Sequence, residues 1–172
     1  MKVAALKVAQ PPVNRKLHPD PRAAGLPDRM SGPRKLAETV MSLESHASIA
    51  PMLSVRRGAQ AVDFYKAAFG AQELFRVEDP SGAVVAELLV GRSSFWVSDE
   101  SPEHLNFSPE TLGGGTVRMV VVVENPDTLF DQAVAAGAKV VSPVADQDYG
   151  WRVGRIVDPF GHHWEIGKPL SK

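Results

Sequence analysis

The run Ala61-Val62-Asp63-Phe64-Tyr65-Lys66-Ala67-Ala68-Phe69-Gly70-Ala71 decides how the chain is read. Its Ala61, Val62, Phe64, Tyr65, Ala68 and Phe69 fall near helical spacing, which predicts a helix over 59–69 with one apolar side. Gly70 is the stop, because glycine takes the left-handed conformation that ends many helices. Working outward, Met52 to Val55 reads as a short apolar strand before this helix. Three strands are predicted after it: Gln72 to Val77, Ala83 to Val90 and Ser93 to Val97. Asp79-Pro80-Ser81-Gly82 and Gly91-Arg92 have the chemistry of the turns between them.

The same order then recurs. Val117 to Val123 is a predicted strand, and Pro126 suits the first turn of a helix running to Ala136. Gly137 ends that helix, and Ala136-Gly137-Ala138 overlays Phe69-Gly70-Ala71. Strands follow at Lys139 to Val144, Arg152 to Val157 and His162 to Ile166, the last two joined by Asp158-Pro159-Phe160-Gly161. A repeat of this kind means two similar modules that bury their faces together. Consecutive strands with short turns pair antiparallel, and the strand before each helix returns across it. The expected fold is α+β: two tandem βαβββ units, 48–100 and 116–168, with a linker over 101–115, in one domain over 48–170. Their curved mixed sheets are expected to face each other around a cavity, where small-molecule sites tend to lie.

Residues 1–47 have a different composition. They hold six of the 14 prolines and a net charge of +4, against −5 for the remainder. With no sustained period and little to bury, they are expected to be a disordered tail, or a start called too early with Met41 as the true one. A short helix over 33–43 is an exception considered within it. The formal charge of −1 gives no electrostatic reason to expect nucleic acid or an anionic membrane as partner. The absence of cysteine excludes disulfides, zinc–thiolate sites and a cysteine nucleophile, and fits a cytoplasmic location. No apolar run is long enough to span a bilayer.

The helical run above resembles the first helix of the vicinal oxygen chelate superfamily of glyoxalases, bleomycin-resistance proteins and dioxygenases. Val157-Asp158-Pro159-Phe160-Gly161-His162 resembles its last hairpin. Tyr149-Gly150-Trp151-Arg152 and Thr111-Leu112-Gly113-Gly114 are similar to the PhnB-like branch. The resemblance implies a homodimer and a divalent metal held by four side chains, here near Ala50, at Glu87, near Arg118 and at Glu165. Ala50 and Arg118 supply no ligand atom for a cation.

Glu87 lies in a strand apolar on both faces, and a buried carboxylate there needs a proton, a counter-charge, hydrogen bonds or a metal. Alternation puts His163 and Glu165 on one face and His162, Trp164 and Ile166 on the other. Arg118 either joins the two carboxylates in a salt-bridged network, binds an anionic group of the ligand, or faces water. Trp96, Tyr149 and Trp151, with Phe160, line an aromatic pocket or pack in the core. The leading expectation is a small-molecule-binding protein without four-ligand metal chemistry and without a resident cofactor. The alternative is a glyoxalase-like lyase or isomerase, or a dioxygenase. There Glu87 and Glu165 are catalytic and, with His163, hold zinc, nickel, manganese or iron. A third reading is an interaction module with no ligand.

Overall fold

The computed structural model describes residues 48–171, so the expectations for the first 47 residues lie outside it. The first unit runs β1 (Met52–Val55), α1 (Gly58–Phe69), β2 (Gln72–Glu78), β3 (Val84–Val90) and β4 (Ser93–Asp99). A connection containing a 3₁₀ turn and the short helix α2 (Pro109–Leu112) follows. The second unit is β5 (Arg118–Val122), α3 (Pro126–Ala135), β6 (Lys139–Gln147), β7 (Trp151–Val157) and β8 (His163–Pro169). The α+β class and the tandem βαβββ units are as the sequence predicts.

Each unit builds a four-stranded sheet of the same topology, β1-β4-β3-β2 and β5-β8-β7-β6. The strand before the helix returns parallel to the last strand, β1 to β4 and β5 to β8, while the other pairs are antiparallel. Gly70, at φ 63°, closes α1 by donating its N–H to Lys66. The linker is more ordered than a plain connection. Ser108 is fully buried, its hydroxyl caps α2 by accepting from the Thr111 N–H, and its own N–H donates to Glu100.

The two units meet through their helix-bearing faces. α1 packs on α3, and the Gln132 side chain on α3 donates to the Ala67 carbonyl of α1 at 2.8 Å. Trp164 of β8 is buried against Phe69, Tyr65 and Phe95, with ring centroids at 4.6, 5.4 and 5.5 Å. Phe160 joins the same cluster beside Phe64, so it is a core residue. This one shared core contains Val84, Ala86, Leu88 and Val97 from the first sheet and Ile156, Trp164 and Ile166 from the second. Strand alternation then fixes the other side of each sheet as an open face turned away from the core.

Candidate functional site

On the open face of the first sheet, Met52, Trp96, Glu87 and Phe75 stand side by side across four strands. The Phe75 and Trp96 rings lie 5.7 Å apart. Glu87 is half-buried between them and has no hydrogen-bonded or ionic partner among the described residues. Trp96 therefore faces the open side.

On the second sheet the matching row is Val120, Glu165, Arg155 and Ser142. Because the topologies are identical, the rows correspond strand by strand. The counterpart of Glu165 is Trp96, and the counterpart of Glu87 is Arg155. Glu87 and Glu165 both alternate with core residues, so within one chain both point outward from the shared core and they do not meet.

Glu165 has a different partner. Arg118, two residues before Val120 on the same face of β5, donates through Nη1 to Glu165 Oε1 at 2.7 Å. Arg118 pairs with Glu165 and not with Glu87, and its side chain otherwise stays exposed to water. His163 lies next to Arg118 in register. Its Nδ1 is buried without a partner, as is Nε of Arg155. Burial holds the imidazole below its usual pKa, and the Arg155 guanidinium adds to that, with Arg118 and His162 contributing less and Asp158 opposing. His162 points elsewhere, its Nε2 sitting 2.9 Å from the Ser54 carbonyl.

Tyr149, Trp151, Val153, Val120, Glu165 and Gly167 line a cleft of about 200 Å³ on this face. Tyr149 and Trp151 thus line the cleft together with Glu165, which pairs with Arg118, whereas Trp96 and Glu87 belong to the other open face. Arg155 is the site residue that sequence reasoning missed. Alternation along Trp151–Val157 separates it from Arg152, whose guanidinium is taken up by Asp127 and Asp146.

The family's divalent metal does not fit these residues. The positions flanking Glu165 and its counterpart carry Met52, Trp96, Val120 and Arg118. These offer one soft thioether and no oxygen or imidazole donor, and His163, on the same face as Glu165, adds one imidazole, too few ligands for an ion. Glu165 is already engaged by a guanidinium. Among the described residues, no group of three His, Asp or Glu side chains converges to hold an ion.

A two-unit α+β chain with helices joined at the core and open sheet faces is the architecture of a known class. The family model described as the Glyoxalase/Bleomycin resistance protein/Dioxygenase superfamily matches residues 46–166. The chain belongs to that superfamily. It is 36% identical over 152 residues to an uncharacterized protein of Mycobacterium tuberculosis, covering 83% of this chain and 89% of that one. A solved structure of an Arabidopsis thaliana gene product is 31% identical, with a TM-score of 0.59, over 71% of this chain and 98% of the other. The crystal structure of TioX from Micromonospora sp. ML1 is 27% identical, with a TM-score of 0.56, over 72% of this chain and 99% of that one.

Proposed function

We propose that this protein is a small-molecule-binding member of the superfamily that works without a four-ligand metal centre. The observation that carries the reading is the pairing of Arg118 with Glu165, together with Trp96 at the position that corresponds to Glu165. A permanent cation occupies the carboxylate that a metal would need. An aromatic ring occupies the matching slot, where it supports binding of an apolar or planar ligand. The Tyr149-Gly150-Trp151-Arg152 stretch supports placement in the PhnB-like branch.

The open faces also support a homodimer. Met52, Phe75, Val120 and Val122 are large apolar side chains left exposed on them, and a second copy would cover that surface. Among the described residues no helix is long and apolar enough to cross a membrane. The cysteine-free composition supports a cytoplasmic location.

The test is elemental analysis of the purified protein after incubation with zinc, nickel, manganese and iron salts, followed by a chelator. The expected result is metal far below one equivalent per chain and a melting temperature that neither metals nor chelator move. Stoichiometric metal, lost together with a lyase, isomerase or dioxygenase activity, would overturn the proposal.

A further inference from the structure

We propose that Arg155 is the oxyanion-binding residue of the second sheet's open face. Its ligand is a small, single-ring or similarly planar carboxylate whose apolar body lies along Val120, Val153 and Gly167. This inference rests on the small-molecule-binding reading and names the ligand class for it.

The three arginines of this region differ in how they are used. Arg152 is held by Asp127 and Asp146, and Arg118 by Glu165. Arg155 stands opposite Glu165 in the β7–β8 register, yet Glu165 gives its Oε1 to Arg118. Arg155 is left with no ion pair among the described residues and with Nε buried and unpartnered. An orphaned buried donor is costly and in a native protein calls for an explanation. His163 Nδ1 is a second orphan on the same face. Two guanidiniums against one carboxylate also leave this face with an uncompensated positive charge.

Geometry fixes the kind of anion. Arg155 Nε is enclosed, so a ligand meets the terminal Nη edge of the guanidinium, whose two parallel donors match the two oxygens of a carboxylate. On the same face, Val153 lies two residues before Arg155 and leads into the cleft lined by Val120, Tyr149, Trp151, Glu165 and Gly167. Arg155 stands beside this cleft rather than in its wall, and the Glu165 carboxylate in the wall is neutralised by Arg118. Gly167 leaves the middle of that strip bare, because a side chain there would meet the Arg152 carbonyl and Val153. An apolar cavity of about 150 Å³ holds a benzene ring. The cleft of about 200 Å³ therefore suits one ring with a small substituent.

The experiment is an NMR titration of the full-length ¹⁵N-labelled protein with benzoate and with benzamide, which share a ring and differ in charge. The Arg155 Nε–H resonance is assigned by its loss in Arg155→Lys. Benzoate is expected to shift that resonance and the amides of Val120, Val153 and Gly167 saturably, with benzamide binding at least about tenfold more weakly. Arg155→Gln should weaken benzoate about tenfold while leaving the remaining amide spectrum in place. Arg155→Lys, which keeps the charge and stem, should fall between.

Equal binding of benzoate and benzamide, or benzoate binding unaltered in Arg155→Gln, would overturn the anion site and leave the ligand-binding reading standing. If Glu87→Gln moves the Arg155 resonance and benzoate does not, a second copy's open face is the acceptor and the inference fails. If neither compound perturbs the face, the inference fails, while the small-molecule-binding reading stands or falls on the metal analysis.

Discussion

The Tyr65 hydroxyl on α1 donates to Asp158 Oδ2 at 2.7 Å, tying the helix of the first unit to the last hairpin of the second. The same oxygen accepts from Trp164 Nε1 at 2.9 Å, and Oδ1 accepts the N–H groups of Phe160 and His162. Asp158 is buried, and so are the rings of Tyr65, Phe160 and Trp164 around it. Burial, reinforced by Asp158, pushes the Tyr65 hydroxyl well above its usual pKa, so it remains a donor across the physiological range. Tyr65→Phe is expected to cost about 1.5–3 kcal/mol, the range for a hydrogen bond to a charged group. Asp158→Ala, which strands three buried donors and the part-buried His162 N–H, is expected to cost at least about 3 kcal/mol. Guanidinium denaturation measures both, and a loss under about 0.5 kcal/mol for either would contradict this account.

His163 gives a pH prediction. Its folded pKa is lowered, first by burial and then by Arg155, with smaller contributions from Arg118 and His162 against Asp158. The unfolded chain therefore takes up the proton before the folded chain does. Above about pH 6.5, where both states are neutral, the group has no effect on stability. As pH falls below that, protonation favours the unfolded state and stability declines. Histidine NMR titration should place His163 below the ordinary histidine range. His163→Gln should flatten the acid-side fall of a stability–pH curve, and an unchanged curve would refute the assignment.

The apolar open faces give a third expectation. Size-exclusion chromatography with light scattering should find a dimer. Phe75→Glu places a charge in the row beside Glu87 and Trp96, where like charges on adjacent strands repel. It should shift the protein toward monomer with little change in its far-ultraviolet circular dichroism. A stable dimer unaffected by Phe75→Glu, or a wild type that is monomeric throughout, would show that these faces have no self-partner.

The sequence reveals the elements of this fold more readily than their alignment. The apolar run of Ala83–Val90, the stripe of Ala61 to Phe69 and the two glycine-bounded helix ends are local signals, and each element stands within a few residues of its expected place. Asp158 also reads locally, but only as a turn residue. Its role as the joint between units depends on Tyr65, 93 positions away. The site fails to read for a related reason. Period-2 alternation says which face a side chain takes, but not which residue of a neighbouring strand stands beside it. Without that register Glu87 looks like the partner of Glu165. With it, Trp96 matches Glu165, and Arg155 matches Glu87. A signal for Arg155 was present: the run Arg152-Val153-Gly154-Arg155 puts its two arginines on opposite faces.

Gly154 tests how tightly the second helix is seated. It lies on the core face of β7, where an added Cβ would come within 2.7 Å of both Phe130 on α3 and Val144 on β6. Phe130 is itself buried, so its ring has little room to retreat. Gly154→Ala should therefore destabilise the fold by about 1–3 kcal/mol through overpacking, despite the gain expected from replacing a strand glycine. Gly114→Ala is the contrasting case, because nothing lies within 4 Å of its added Cβ. That change should be neutral within about 0.5 kcal/mol, as at ordinary surface sites. Urea denaturation of the two variants separates the explanations, since the slope should be unchanged and only the midpoint of Gly154→Ala should fall. If Gly154→Ala were as stable as the wild type, α3 would have to sit farther from β7 than described, and the shared core joining the two units would be looser than the Trp164 packing implies.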